Sequence, residues 1–316
     1  LADGFTNGQN KDANNTPQST KSQWEQNQQP SVQFTFGGSS VWENCITMYE
    51  NQIQQAFTSE EEFARFTEGY LQEHANDYES QREAWNRLGL LNKVGQTFDM
   101  SSVMTGSAIN LTAEFNAKFR TSYTSEQLRT TYLKEFAQWF VAFFKTHLRY
   151  MSERSTAYHW SVPKTINGVT RHILRHTPLE DAHVYMFSPL WADVESLVLP
   201  EIFNDEYLDL DTQYQPVTYW QSNTSDADRP KVDIEPAVVN TTSGVQEKGA
   251  EVKLDYVVGL ITDRDGLMTD FQIETTRTTS VEARKGYRNT WQIIAKNLIC
   301  DPTEKTILFY MADPTT

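Results

Sequence analysis

Cysteine is nearly absent from this chain of 316 residues, which contains only Cys45 and Cys300. Two cysteines so far apart in the sequence exclude a disulfide framework and a zinc module, because both need several thiols at short spacings. Long apolar runs are also missing, so no transmembrane helix is predicted. Residues 1–10 lack the basic and apolar regions of a signal peptide. These absences predict a protein of a reducing compartment that is not attached to a membrane.

Basic residues are in the minority. The chain has 27 Lys and Arg against 42 Asp and Glu, which gives a net charge of −15. A surface of that sign repels phosphate and argues against generic nucleic-acid binding. The apolar fraction of 38% is low, but 17 Phe, 14 Tyr and 8 Trp supply large side chains for a core. The length suggests one elaborate domain or two modest ones.

The N-terminal segment is too polar to fold alone. Residues 1–30 contain five Asn, six Gln and only five apolar residues, which cannot offset the entropy lost on ordering. This segment is therefore expected to be an arm. Val32, Phe34 and Phe36 then alternate before Gly37, which predicts a short strand whose apolar side chains need a partner surface.

Two capping boxes mark long helices. Ser59 and Glu62 have the spacing that begins a helix, and the apolar residues after them follow helical periodicity to about Val94. This pattern predicts one helix, or two collinear ones, of about 35 residues and roughly 50 Å. Thr124 and Gln127 repeat the capping signature and predict a second long helix that continues to Met151.

The second half of the chain is predicted to contain both strands and a helix at first, and only strands towards its end. Residues 182–187 predict a strand that runs into a helix capped at Ser188, and residues 217–221 predict another strand. From residue 252 the apolar positions alternate to the end. The predicted C-terminal strands cover residues 252–260, 271–279, 287–300 and 307–311. The fold class is therefore α+β, with a terminal antiparallel sheet.

The best candidates for a metal site are three histidines, His172, His176 and His183. Neutral imidazoles can hold zinc, but no H-E-x-x-H motif accompanies them, and the run from Arg171 to Arg175 is basic and repels a cation. These residues are expected to be ordinary polar surface, or to pair with nearby carboxylates. No metal and no cofactor are predicted.

A carbohydrate-cleaving site would need two carboxylates facing one cleft near aromatic platforms. Two sets of residues offer this combination: Trp191 with Asp193 and Glu195, and Tyr219 with Trp220 and Asp226. The simpler interpretation places the carboxylates on solvated surface and Trp220 in the core. The sequence also lacks G-x-S-x-G and Gly-rich phosphate loops. No catalytic residue is predicted, and this absence favours a structural building block over an enzyme.

A series of patterns in the C-terminal part points to a family. In order, they lie at residues 177–187, 202–207, 217–220, 257–266 and 301–311. Within the fourth, an apolar strand is followed by Asp263-Arg264-Asp265, where the family often has Asp, then Arg or Lys, then Asp or Glu. The chain resembles the major capsid proteins of tailed bacteriophages, in particular podophages, which have the Hong Kong 97 fold.

The resemblance implies a division of the chain. Residues 1–45 would be the returning half of an extended loop, and residues 46–100 a peripheral domain built on the long spine helix. Residues 101–250 would form an axial domain with loop insertions, and residues 251–316 a β-rich segment that closes the core. The family's N-terminal arm and the ascending half of the loop would precede Leu1, removed by maturation cleavage or simply outside this sequence.

The resemblance also implies a function. Such a chain is not an enzyme. It assembles as hexamers and pentamers into an icosahedral shell around double-stranded DNA, with portal, scaffolding and decoration proteins as further expected partners. It would be made in the host cytoplasm and reside in the virion, without membrane contact. An acidic wall would confine the genome without specific contacts.

Residues at the contacts between subunits follow from both arguments. Residues 1–36 are expected to become ordered on an adjacent subunit. The expected anchors and interface cations are Trp24, Phe34, Phe36, Trp42, Arg284, Lys285 and Arg288. Two alternatives stay open at this point: an encapsulin-like compartment around protein cargo, and an acidic carbohydrate-binding or hydrolytic protein.

Overall fold

The structure is a computed structural model that describes residues 33–35, 40–49, 59–166, 169–198 and 213–313. Its α-helices are α1 Glu60–Asp99, α2 Leu111–Phe119, α3 Ser125–Arg129, α4 Leu133–Ser152 and α5 Ser188–Val198. The strands of its first half are β1 Ser40–Tyr49, β2 Ala108–Asn110, β3 Pro163–Ile166, β4 Val169–His172, β5 Ala182–Phe187 and β6 Gln213–Val217. The later strands are β7 Val232–Ile234, β8 Ala237–Val239, β9 Gln246–Lys248, β10 Val252–Leu254, β11 Val257–Asp263, β12 Leu267–Thr278, β13 Tyr287–Cys300 and β14 Thr306–Tyr310.

The chain divides into two compact units. The smaller unit, as far as the structure describes it, holds Gln33 and the hairpin of β3 and β4. In this hairpin the hydroxyls of Thr165 and Thr170 lie 3.0 Å apart across the strand pair. The larger unit runs through residues 34–162 and 173–316 and contains the sheets and helices described next.

A five-stranded sheet forms the centre of the larger unit, with strand order β2, β14, β11, β5, β6. The inner pairs are antiparallel, whereas β2 and β6 join the two edges in parallel. All seven residues of β11 are buried, as expected for a central strand that is covered on both faces. Helix α4 covers this sheet: the rings of Phe140 and Phe144 lie 6.3 and 5.6 Å from the ring of Phe309 on β14.

The predicted long helix that begins after Ser59 is confirmed, and it is helix α1. The Ser59 hydroxyl accepts a hydrogen bond from the Glu62 amide, as a capping residue should. The helix has 40 residues and continues to Asp99, beyond the expected end near Val94, and is about 60 Å long. Its C-terminal part is buried, with Val94 fully enclosed. Helix α1 therefore begins on the surface and ends in the core.

The predicted helix from residue 124 to 151 is broken in the structure. The capping box at Thr124 is present, but α3 ends at Arg129 and α4 begins at Leu133. The Thr130 hydroxyl bonds back to the Glu126 carbonyl, and Tyr132 stacks on Tyr123 with ring centroids 4.0 Å apart. These contacts accompany a sharp turn in the backbone, and helical periodicity alone did not reveal it.

Other strand predictions need correction. The strand predicted at residues 217–221 is wrong in position, because β6 ends at Val217 and Trp220 turns into the core, where its indole donates to the Val257 carbonyl. Residues 252–260 form two strands, β10 and β11, and the second is buried without alternation. Residues 33–35 lie outside any strand, and Val32 and Phe36 lie outside the described residues.

The C-terminal strands pair antiparallel, as predicted, but they belong to two sheets. Strands β11 and β14 enter the five-stranded sheet, whereas β12 and β13 form a long hairpin. Strand β1 pairs antiparallel with β13 over its whole length, from Ser40 opposite Lys296 to Tyr49 opposite Tyr287. The result is a three-stranded sheet in the order β1, β13, β12. No helix within the described ranges is long and apolar enough to cross a bilayer.

Candidate assembly surfaces

The three-stranded sheet packs one face on helix α1. Trp42 of β1 meets Trp85 of α1 edge to face, with ring centroids 5.7 Å apart. On the same face the ammonium group of Lys296 lies over the Trp85 ring, and Arg82 lies over the ring of Phe271, 5.2 Å from its centroid. These contacts fix which face of the sheet is inside.

The other face of this sheet, called the outer sheet face below, points away from α1. Side chains alternate along a strand, so Val41, next to Trp42, lies on the outer sheet face. Its cross-strand neighbours are Ala295 and then Ile273. Val41 and Ile273 remain 58% and 53% exposed, and Met268 on the same face is 40% exposed. Apolar side chains that are so open to water mark a surface suited to a partner.

Two of the predicted anchors are placed by the structure. Trp42 is half-buried against Trp85, as described above, and Phe34 packs 5.8 Å from the ring of Trp160, beside a small buried cluster. Both side chains therefore contact their own chain. Their role between subunits stays a prediction, and Trp24 and Phe36 lie outside the described residues.

The three predicted interface cations lie together at one end of the β12–β13 hairpin. Arg284 and Lys285 are in the connecting turn, and Arg288 follows in β13 opposite Met48. The turn is closed by Glu282, whose carboxylate accepts from the Lys285 amide at 2.5 Å and whose carbonyl accepts from Gly286 at 2.8 Å. All three cations are exposed. We call this group the basic tip.

His172 is in β4, His183 is in β5, and His176 lies in the segment between these strands. Among the residues that the structure describes, no group of three metal-ligating side chains converges.

The two candidate sets for carbohydrate cleavage have their tryptophans in the core and Asp193 and Asp226 on the surface. Trp191 is buried among Phe140, Phe144 and Tyr214, while Asp193 is exposed. The prediction that Trp220 is core is confirmed, since it is fully buried. Neither set forms a cleft with two facing carboxylates in the described structure.

Sequence reasoning missed a polar cluster beneath the turn at residues 301–305. Lys93 of α1 is fully buried and donates to the Asp301 carbonyl at 2.6 Å, and burial lowers the pKa of this lysine. Glu304 pairs with Arg175 at 3.0 Å. Burial raises the pKa of Glu304 to about 7, and the nearby carboxylate of Asp263 contributes in the same direction.

The neighbouring residue, Lys305, joins β14 to the end of helix α4. It is fully buried, and its ammonium group donates to the Glu153 carbonyl at 2.5 Å and to the Ser155 hydroxyl at 3.0 Å. Burial lowers its pKa to about 8. The sequence contained one signal for each of these two buried lysines. Lys305 stands directly before an apolar strand, and Lys93 lies between the apolar residues Leu91 and Val94 of α1.

Solved structures supply the comparison for this fold. A chain in the capsid structure of Staphylococcus phage Andhra matches with a TM-score of 0.50 and 10% identity, over 88% of this chain and 71% of that one. A chain in the structure of the head fiber and inner core protein gp22 of native bacteriophage P68 matches with a TM-score of 0.52 and 11% identity, over 87% of this chain and 71% of that one.

These matches establish the fold and nothing further, because identities this low leave function to be argued from the surfaces. The α+β, Hong Kong 97-like fold predicted from the sequence is confirmed: the chain has the fold of phage capsid chains, with a long helix against antiparallel strands. No protein-family model matches the sequence, and no curated protein does either.

Proposed function

We propose that this chain is the major capsid protein of a tailed bacteriophage of the podophage type. It is a structural subunit that assembles with copies of itself into an icosahedral shell around double-stranded DNA. The observation that carries the proposal is the shared fold with a chain of the phage Andhra capsid over 88% of this chain. The same proposal makes the protein a non-enzymatic component of the virion.

The outer sheet face and the basic tip support this function physically. A closed shell requires every subunit to present several surfaces to its neighbours. The larger unit offers exposed apolar side chains on the outer sheet face and cations at the basic tip. In this proposal the tip residues Arg284, Lys285 and Arg288 contact a neighbouring subunit, where charges of opposite sign select the register.

The proposal divides the chain as the resemblance implies. Residues 46–100 form the peripheral domain on α1 as the spine, and residues 101–250 form the axial domain. Residues 251–316 close the core, and residues 1–45 belong to the returning half of the loop. The net charge of −15 suits a wall that confines DNA and lets it move, because such a wall does not attract phosphate. Portal, scaffolding and decoration proteins would complete the particle.

The direct test is electron microscopy of the purified, full chain together with its mass in solution. Closed particles of uniform size, with DNA in particles taken from infected cells, are expected. A chain that stays monomeric at high concentration and under shell-forming conditions would overturn the proposal. Particles filled with protein cargo would identify an encapsulin-like compartment, and a monomer whose tryptophan fluorescence responds to sugars would identify a carbohydrate-binding protein.

The N-terminal arm offers a second test. Deletion of residues 1–36 should leave a folded subunit that fails to assemble, because the polar arm contributes little to its own chain and much to a neighbour. This deletion also removes Phe34, which packs near Trp160, so a shorter deletion of residues 1–32 is the matched control for folding. Normal shells from both deletions, or an unfolded subunit from the shorter one, would show that the arm does not act between subunits.

A further inference from the structure

The three-stranded sheet is anchored to helix α1 at one end, where β12 begins and β13 ends. The Cys300 thiol donates to the Gly89 carbonyl at 3.6 Å, and the Gln96 amide donates to the Cys300 carbonyl at 3.2 Å. Leu267, the first residue of β12, packs against the main apolar core. We call this end the hairpin base. Hydrogen bonds and apolar packing both hold it to the rest of the larger unit.

Beyond the hairpin base, the sheet is joined to the core less firmly. Ile294 and Ala295 of β13 are buried, but they belong to neither of the two buried apolar clusters of the described ranges. The contacts with α1 are here mostly the ring contacts described above, and the hydrogen bond from the Thr269 hydroxyl to Asn86 is long, at 3.3 Å. Segments with few buried apolar contacts open locally at a lower free energy than global unfolding requires. The sheet therefore meets the conditions for opening on its own.

Lys296 lies in the middle of the contact between the sheet and α1. It stands on β13 between Ser40 of β1 and Phe271 of β12, and it is only 3% exposed. Its ammonium group lies over the Trp85 ring and has no hydrogen-bond partner in the described part of the chain. Removing an ammonium group from water without a partner is unfavourable, and contact with an aromatic face offsets only part of that cost. The charge of Lys296 therefore opposes the packing in which its side chain takes part.

The charged groups around Lys296 on this face do not neutralise it. On β12, the Glu274 carboxylate bonds to Tyr78 of α1. On α1, Arg82 is a second cation, and its partner is Glu79 at 3.9 Å. Strand β1 places only uncharged residues on the face that meets α1. Burial alone lowers the pKa of Lys296 to about 8, without a contribution from any of these groups.

We propose that the three-stranded sheet opens from helix α1 as a unit about the hairpin base, and that the buried charge of Lys296 controls this opening. In the closed state Trp42 and Lys296 pack on Trp85. In the open state both side chains return to water, and the outer sheet face moves with the sheet. The charged form of Lys296 favours the open state, whereas its neutral form favours the closed one. Opening is therefore promoted at neutral pH and suppressed in alkaline solution.

Hydrogen exchange of the full chain, kept unassembled, measures this opening through the amides of β13. The pKa of Lys296 is about 8 in the closed state and returns to the ordinary lysine value of 10.5 when the sheet opens into water. The open state thus binds the proton more tightly. The opening equilibrium constant should therefore fall about tenfold between pH 7 and pH 9, once the intrinsic exchange rates are divided out. Amides of β11 in the central sheet should show no such dependence.

The variant K296M removes the charge and keeps an unbranched side chain. It should slow the exchange of β13 amides at pH 7 by about tenfold or more and abolish the pH dependence of opening. Lys164 of β3 is exposed, so K164M is the matched control and should leave this exchange unchanged. Unchanged or faster exchange in K296M would overturn the proposal. So would an opening equilibrium of the unmodified chain that stays the same from pH 7 to pH 9, a measurement that needs no substitution.

The pattern of exchange shows whether the sheet opens as a unit. Strand β1 pairs with β13 along its whole length, so the amides of β1, β12 and β13 should open with one equilibrium constant and should slow together in K296M. Opening of β13 only together with β11 would mean that the sheet separates only on global unfolding, and would overturn the proposal. None of these measurements needs particles, so this inference and the proposed shell function can fail independently.

Discussion

The ammonium group of Lys305 lies 2.5 Å from the carbonyl oxygen of Glu153, directly after the end of helix α4. The same group is 3.4 Å from the Tyr150 carbonyl. Carbonyls in the last turn of a helix have no partner within the helix, and a cation at that end also interacts favourably with the helix dipole. Buried Lys305 thus donates to the carbonyls at the C-terminal end of α4. Because Lys305 directly precedes β14, the same contact holds this helix end next to the central sheet.

Replacing Lys305 with methionine should lower the free energy of unfolding by about 1–3 kcal/mol, because buried carbonyls lose their donor. Urea denaturation of the purified subunit measures this change. Lys164 is exposed, so K164M is the control and should change stability by no more than about 0.5 kcal/mol. Equal effects of the two substitutions would show that Lys305 does not act as a cap.

The stability of the subunit should depend on pH through Glu304. Burial raises its pKa from an ordinary value of 4.5 to about 7, so the folded state holds this proton at a pH where the unfolded state has released it. The associated stability is present below pH 4.5 and is lost as the pH rises through about 7. In E304Q this loss should be absent. Melting temperatures measured from pH 4 to pH 8 test it, and parallel curves for the two proteins would contradict it.

Trp42 and Trp85 should be energetically coupled. Edge-to-face aromatic pairs contribute about 0.5–1.5 kcal/mol beyond the area they bury. A double-mutant cycle with W42A and W85A should give a coupling energy in that range. Trp42 and the exposed Phe119 share no contact, so W42A and F119A should be additive within about 0.5 kcal/mol. Additivity in both cycles would mean that β1 is not held to α1 by this pair.

Two glycines of helix α1 should respond to alanine with opposite sign. Gly69 has no atom within 4 Å of an added Cβ, so G69A should stabilise the subunit by about 0.5–1 kcal/mol through helix propensity. At Gly95 the added carbon would lie 2.9 Å from Ile234 and 3.0 Å from Pro236. G95A should therefore destabilise by about 1–3 kcal/mol. Chemical denaturation compares the two directly, and a stabilising G95A would show that β7 does not pack against α1 this closely.

Helices and strands that depend on local sequence patterns were determined by the sequence itself. The capping box at Ser59 and the helical spacing after it predicted α1, and the run from Tyr287 to Cys300 predicted β13 with the same first and last residues that the structure has. Both patterns depend on residues within a few positions of each other, where backbone geometry sets the period. The resemblance added the capsid-type fold, whereas the expected interface residues came from composition and charge as well as from the resemblance.

The tertiary structure decided which of these helices and strands pair or pack together when they are far apart in the sequence. It pairs Trp42 with Ile294 in one sheet, so that one face of the hairpin is covered by α1 and the other is left open. It also buries Lys305 against the end of α4. Strand pairing between distant segments depends on which apolar faces bury each other, and the charge state of a lysine depends on the water removed around it. Neither strand pairing nor the charge state of a buried lysine is set by residues adjacent in the sequence. Both are therefore decided only when the chain folds.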